Sequence, residues 1–440
     1  METTTTQTPV IARALWVPFA LITSCFALWG FANDITNPMV KAFSKIFLMS
    51  NFQGSLVQFA FYGGYFAMAF PAAIFIKKFS YKSGILVGLG LYALGAFMFI
   101  PASMAGLFGP FLIAYFILTC GLSFLETSAN PYILSMGDTK TATQRLNFAQ
   151  AFNPLGSLLG MWTAKEMIVA RLNPADYSAR EMMATDQFEA VKMADLVVVR
   201  NPYVFIGLVI LVVLVVIAMV KMPQDHEDDK NLNIMASLSR LIGLKRYREG
   251  VIAQMFYVGA QIMCWTFIIQ YGTEIFMGKG MSEQDAEVLS QQYNIYAMVI
   301  FATSRFICTF LLKYVRPGVL LMWLALGGVV LTLSVIFVGG MVGLYSLVGV
   351  SACMSLMFPT IYGIALEGTG EDAKFGAAGL IMAILGGSVM PPLQALIMDS
   401  GSVGGISGVQ VSFALPLLCF AIIAVYGYRV FNLHMREEKL

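Results

Sequence analysis

Charge is scarce in this chain. Only 12% of its 440 residues are Asp, Glu, Lys or Arg, where a soluble domain carries about a quarter. A soluble enzyme is therefore excluded, and most of the chain is expected to lie in lipid. Histidine is scarcer still. His226 and His434 sit in polar stretches, and two such residues cannot build a metal site. No metal or cofactor is expected. There is no Gly-rich phosphate loop, which argues against an ATP-driven pump, and no basic run suited to nucleic acid. The net charge of +2 says little about partners. The six cysteines all fall in apolar runs without a CxxC pair, so they read as small core residues. The segment Met1 to Val10 is polar and Thr-rich, with no basic n-region or cleavage site, and reads as a short tail.

What is abundant is apolar length. Hydrophobic residues make up 58% of the chain, and a membrane-crossing helix needs roughly 20 of them in succession. Candidate spans fall at about 15–40, 52–78, 83–103, 106–135, 144–171 and 201–221, then 249–276, 287–313, 317–339, 341–366, 375–399 and 407–431. With both termini on one side, the opposite side receives only Lys41, Lys45, Lys165, Arg171, Arg180, Lys192, Arg200 and Lys279, and Arg305 falls inside a span. The rest of the 27 basic residues gather on the side of the termini, which the positive-inside rule makes cytoplasmic. The long polar connections are about 172–200 and 222–248. The second separates a six-span half, residues 1–221, from another, residues 249–440, and its basic end suits anionic lipid heads.

The halves echo each other. Asn130-Pro131-Tyr132 precedes Arg145 and a span bearing Gly156 and Gly160. Phe358-Pro359-Thr360 precedes Lys374 and a span bearing Gly386 and Gly387. Six-plus-six repeats with a site between the halves are the plan of the major facilitator superfamily.

Several polar residues interrupt the apolar runs. Glu126 lies deep in the fourth span. An ionised carboxylate there costs about 3 kcal/mol on insertion scales, which is tolerated where it faces water and exchanges a proton or holds a ligand. Its structural alternatives are a pair with Arg305 or a bond to Thr127 or Asn130. In the first span Asp34 and Asn37 are three apart and share a helix face. Pro38 is expected to turn Asn37 away from helical geometry and free carbonyls nearby. Asn147, Gln150 and Asn153 form a stripe at a spacing of three, and Gln254 and Gln261 lie two turns apart near Tyr257 and Trp265. Amides donate and accept at once, which suits sugar hydroxyls, and an aromatic face can carry the apolar side of a pyranose. Helix–helix contacts and ordinary packing are the alternatives.

The stretches Leu28 to Asn37, Val57 to Phe66, Leu125 to Pro131, Arg145 to Gly156 and Ala253 to Trp265 resemble the fucose–proton symporter family of the major facilitator superfamily. The resemblance covers nearly the whole chain. It implies an all-α membrane protein of 12 transmembrane helices in two six-helix halves. It also implies a bacterial inner-membrane carrier, monomeric in the bilayer, that takes up a neutral monosaccharide (L-fucose or a related hexose) with a proton by alternating access. Glu126 matches the family's span-four carboxylate, implicated in proton coupling and sugar recognition. Gln150 and Asn153 match residues near the sugar. Asp34 joins Glu126 as a coupling candidate. Asn37, Gln58, Asn130, Asn147, Gln254, Gln261, Trp265 and Phe358 join the candidate sugar contacts. Two departures stand out. The fucose symporter has its span-one aspartate at the place of Asn37 and an amide at the place of Asp34, and it has a tyrosine at the place of Phe358. Asp34 with Asn33, Thr36 and freed carbonyls would make an oxygen nest for Na⁺. Sodium-coupled and uncoupled hexose transport therefore stay open as alternatives.

Overall fold

The computed structural model describes residue 11 and residues 13–137, 148–150, 152–222, 234–311, 314–367, 369 and 372–437. The described part is helical throughout, apart from short connections and one isolated β-bridge between Val403 and Ile406. The helices are α1 (Trp16–Thr36), α2 (Met39–Phe47), α3 (Asn51–Lys78), α4 (Tyr81–Phe97), α5 (Phe99–Ala105), α6 (Phe108–Ser135), α7 (Phe152–Thr163), α8 (Tyr177–Glu181) and α9 (Thr185–Met219). After the central connection come α10 (Ile234–Gly243), α11 (Lys245–Met277), α12 (Glu283–Leu311), α13 (Pro317–Phe337), α14 (Gly340–Met354), α15 (Met357–Leu366), α16 (Ala373–Met382), α17 (Gly386–Asp399), α18 (Gly408–Ser412) and α19 (Ala414–Glu437). Among the described residues, ten helical stretches are long and apolar enough to cross a membrane. The other two expected spans are α7, prolonged by a π-helical turn over Ala164–Ile168, and the more polar α12.

Burial follows composition. The apolar window of α9 has a mean hydropathy of 3.0 and is 33% enclosed, whereas that of α11 has 1.5 and is 78% enclosed. Polar residues are kept for helices surrounded by protein, and the most apolar helix is left to lipid. Two closely packed pairs form the frame around the centre, α1 with α7 and α11 with α17. Glycine permits both. A Cβ on Gly156 would collide with the Ala27 carbonyl, and one on Gly386 with the Met255 carbonyl. The matching glycines of the two repeats thus perform the same task, close backbone approach.

Three expectations need correction. Asn37 keeps helical dihedrals (φ −54°, ψ −49°), and the break falls on Pro38 as the residue before α2. Proline is tolerated there because the first N–H groups of a helix lack intrahelical partners in any case. The polar stretch 172–200 is not an extended loop. It contains α8 and the first four turns of α9, held by Arg180, which donates to Asp195 (2.6 Å) and to the carbonyls of Asn173 and Ala175 (3.0 Å each). Pairing inside the protein removes the reason for those charges to stay in water. The described part of 222–248 is likewise helical, as α10 and the start of α11.

The two ends of the bundle differ. At the end away from the termini, Lys41 meets Glu283 (3.1 Å) and Glu287 (3.7 Å), and Lys45 meets Glu287 (3.6 Å), joining α2 to α12. Gln284 donates to the carbonyls of Ala170 and Leu172. Asp399 at the end of α17 accepts from the backbone N–H groups of Asn51 and Phe52 at the start of α3 (3.2 and 2.8 Å). Every one of these contacts ties helices before the central connection to helices after it. At the end carrying the termini, Arg240–Asp372, Arg246–Glu367 and Arg429–Glu249 each join elements after residue 234, and Lys82 donates to the carbonyls of Ala218 and Val220 within the earlier group.

Candidate functional site

Asp34 and Glu126 are both buried, 4% and 6% exposed, Asp34 near the end of α1 and Glu126 in the later part of α6, each in a helical stretch able to cross a membrane. Neither makes an ion pair among the described residues. Asp34 Oδ1 accepts from Asn37 Nδ2 at 2.9 Å, one turn along the same face, and the Ser157 hydroxyl of α7, which donates to the Gly30 carbonyl (3.4 Å), lies close by. Oε2 of Glu126 has no hydrogen-bond partner among the described residues. The structural alternatives for Glu126 fail in detail. Asn130 donates to the backbone carbonyl of Glu126, and Thr127 to that of Ser123. Arg305 donates to the Ser355 carbonyl (3.2 Å) and lies over the Phe301 ring, 4.9 Å from its centroid. Two stacked tyrosines on α3 adjoin the carboxyl groups, Tyr62 in the field of Asp34 and Tyr65 in that of Glu126. Across the central connection, Tyr362 of α15 also lies in the field of Glu126.

The amides divide into two sets. Gln58 Nε2 donates to Asn37 Oδ1 (3.2 Å) and to the Thr266 hydroxyl on α11 (3.0 Å). Gln150 Nε2 donates to Asn130 Oδ1 (3.0 Å), and Asn153 Nδ2 to the Phe26 carbonyl (3.2 Å). So the structure brings Asp34, Asn37 and Gln58 into one chain, and Asn130 and Gln150 beside Glu126. Gln254 is fully buried with both amide ends unpartnered, and Gln261 is half-buried seven residues on. Asn147 lies outside the described residues. Trp265 is less like an open platform than expected. Its indole N–H donates to Ser351 (3.1 Å), and its ring meets Phe301 edge-on at 5.0 Å. Phe358 lies between Tyr257 and Tyr362 rings, at 6.1 and 6.2 Å.

Several polar groups here were not singled out from sequence. Thr266 closes the Asp34 chain. Beyond it, Gln270 and Gln291 are buried with both amide ends unpartnered, and Asn294 donates to the Trp265 carbonyl while its own oxygen is unpartnered. Their signal was spacing: Thr266 and Gln270 four apart, Gln291 and Asn294 three apart, each pair on one helix face.

The arrangement is that of a centre where uncompensated acids and free amides meet between two groups of helices. The comparisons agree with it. The sequence profile of the Major Facilitator Superfamily matches residues 22–390. The chain is 50% identical, over 96% of its length and 99% of the relative's, to an L-fucose-proton symporter of Haemophilus influenzae. It is 36% identical to that of Escherichia coli, over 94% of this chain and 93% of the relative's. A glucose/galactose transporter of Brucella abortus is 31% identical over 93% of each. Among solved structures, the transporter FucP in the outward conformation aligns with a TM-score of 0.72 at 36% identity, covering 95% of this chain and 99% of that one. The all-helical fold, the glycine-packed pairs and these alignments lead to one assignment: the chain belongs to the fucose–proton symporter family of the major facilitator superfamily.

Proposed function

We propose that the protein carries a neutral monosaccharide, L-fucose or a related hexose, inward with a proton by alternating access. The observation that carries this reading is the pair of buried carboxyl groups, Asp34 and Glu126, each without a cation and each surrounded by amides and tyrosines. Relatives named as L-fucose-proton symporters over nearly the whole chain support the sugar and the ion. In the proposed cycle the two acids are protonated from outside, sugar binds among Asn37, Gln58, Asn130, Gln150, Asn153, Gln254 and Gln261, and the halves rock. Proton release inside resets the carrier. One charge moving down 100 mV supplies about 2.3 kcal/mol, roughly a 50-fold sugar gradient.

In this reading residues 1–221 and 249–440 are the moving halves, 222–248 joins them, and the unit is a monomer in a bacterial inner membrane with both termini in the cytoplasm. The surplus of Lys and Arg on that side supports the orientation. The closed end described above is then the outer one, and the site opens inward. Of the supposed Na⁺ nest, Asn33 Oδ1 is turned away to accept from Tyr65 (3.4 Å), while Thr36 donates to the Ala32 carbonyl (2.8 Å) and keeps its lone pairs. The relatives named as proton symporters favour the proton.

The test is a sugar panel on reconstituted vesicles with pH and Na⁺ gradients imposed separately. Fucose accumulation driven by the pH gradient alone is expected. Glu126→Gln is expected to reduce uphill uptake far more than counterflow exchange. Uphill uptake that survives both Glu126→Gln and Asp34→Asn sinks the coupling assignment, and accumulation driven only by Na⁺ replaces the ion.

A further inference from the structure

We propose that Gln58 and Thr266 are positioning residues that report the protonation of Asp34 to the second group of helices. The proposal deepens the coupling reading and rests on it. The chain of contacts is Asp34 to Asn37 (2.9 Å), Asn37 to Gln58 (3.2 Å) and Gln58 to Thr266 (3.0 Å). It starts on α1, crosses α3 and ends on α11. All four side chains are buried, Gln58 completely and Asn37 and Thr266 to within 1%. Water therefore cannot repair a mismatched contact, and a donor facing a donor there costs about 1–3 kcal/mol.

The chain has a direction. With Asp34 ionised, its oxygen accepts from Asn37 Nδ2. That fixes Asn37 Oδ1 toward Gln58, whose Nε2 donates both to it and to Thr266. The proton that this chain reads is one bound at Oδ1, the oxygen facing Asn37: the new O–H bond makes that atom a donor, whereas a proton on Oδ2 leaves Oδ1 accepting from Asn37. The acid then donates to Asn37 Oδ1 once this amide has turned over. Asn37 Nδ2 now faces Gln58, which must turn over in the same way to offer Oε1. Thr266 becomes a donor to that oxygen. Amides are close to isosteric in the two orientations, and a hydroxyl serves as donor or acceptor by rotation. Both arrangements satisfy every contact, and any mixture places like against like.

Gln58 also lacks the mark of a fixed structural amide. Its Oε1 is buried without a partner, whereas buried groups used only for packing are nearly always satisfied at both ends. Thr266 stands one turn before the unpartnered Gln270 on α11, and the unpartnered Gln291 stands one turn after Glu287 on α12. Among the other titratable or charged groups on elements packed against α1 are Tyr62 and Tyr65 on α3, Tyr92 on α4, and Tyr115 and Glu126 on α6. They include Tyr203 on α9, Lys165 and Glu166 after α7, and Lys41 and Lys45 on α2, the last two already engaged with Glu283 and Glu287. None of them interrupts the chain, so Asp34 is the group whose charge it reads.

The experiment is transport in reconstituted vesicles by Thr266→Val, which removes the hydroxyl at nearly constant shape, and by Thr266→Ser, which restores it. Proton-driven fucose accumulation and counterflow exchange are each measured from pH 5 to 8. The expected result is that Thr266→Val lowers the accumulation ratio at least tenfold and flattens its pH profile, with counterflow within about twofold of the parent, and that Thr266→Ser recovers both. An unchanged pH profile in Thr266→Val, or equal impairment of the two variants, overturns the proposal. Should Thr266→Val not reach the membrane, Thr266→Ala makes the same cut and is read the same way. Asp34→Asn is run beside them. If it still accumulates sugar, the part of the coupling reading that assigns a proton to Asp34 has failed, and this proposal with it. If it does not, while Thr266→Val behaves as the parent, only the present proposal falls.

Discussion

The two ends of the bundle are held by different kinds of contact. At the end with the termini, the ion pairs Arg240–Asp372, Arg246–Glu367 and Arg429–Glu249 lie within one group of helices, each with one partner open to solvent. At the other end the pairs of Lys41 and Lys45 with Glu283 and Glu287 cross between groups and are largely enclosed, beside pairs such as Arg180–Asp195 that stay within the first group. Lys45 is 2% exposed and Glu287 equally so, with their charged atoms 3.6 Å apart. Among the described residues, Lys45 Nζ and Glu287 Oε1 make no hydrogen bond, and Gln270, Gln291 and the oxygen of Asn294 are unpartnered. The closed end is thus a well-sealed but poorly satisfied interface. A carrier needs this. An interface with every group satisfied would be too deep a minimum to open, whereas one with orphaned groups leaves the alternative state, where they are wetted, within a few kcal/mol.

The comparison can be broken most strongly at Lys45. Lys45→Glu places a third acid beside Glu283 and Glu287. Breaking a buried pair costs about 3–5 kcal/mol, so the equilibrium constant for opening this end should rise by a factor of roughly 10² to 10³. Spin labels on α2 and α12 would report this as a longer distance, and Lys45→Glu with Glu287→Lys should bring it back. Opposite in sign is Gln291→Leu. Removing an unsatisfied buried amide should favour closure by about 1–3 kcal/mol, with slower net uptake and a shorter mean distance between the same labels. A smaller effect is expected at Asp399, whose carboxylate caps the exposed start of α3. Asp399→Asn should favour opening by about 0.3–1 kcal/mol.

Smallest of all should be the effect of the termini's end on this equilibrium. Asp372→Asn is expected to leave the label distances unchanged and to loosen only α10 in hydrogen exchange. Arg240 and Ser237 hydrogen-bond to Asp372 and hold its carboxyl down at about 2. A carboxyl lowered in the folded state stabilises above its unfolded value, near 4, and loses that contribution as pH falls toward 2. Protection of α10 should therefore be constant from pH 7 to about 4 and decline below. A decline near pH 6 would contradict this pair as its cause.

Much of this was legible in the sequence because lipid is a strict solvent. Each crossing needs its run of apolar residues, so the spans were visible. Any acid or amide inside a run stands out, so Asp34, Glu126, Asn37, Gln58 and Gln150 were visible too. What was illegible depends on partners distant in sequence. The extension of α9 back to Thr185 rests on Arg180 meeting Asp195. Trp265 looks like a sugar platform until Phe301 is brought against it. Thr266 could not be picked out, because a threonine in an apolar helix usually bonds its own backbone. Thr36, Thr273 and Thr332 each donate to the carbonyl four residues back, and nothing local distinguishes Thr266 from them.

Asn37 stands at the joint between α1 and α2. It is one residue from Pro38, and its side chain touches Asp34. The nine residues of α2 make a rod about 13 Å long, with the lysines that reach α12 along it. A tilt of about 5° at the joint would carry the far tip of that rod about 1 Å, enough to part a contact of 3.1 Å. The short arm of this lever ends on a carboxyl group and the long arm on an ionic clasp, so a very small rearrangement around one hydrogen ion is magnified where the vestibule is sealed.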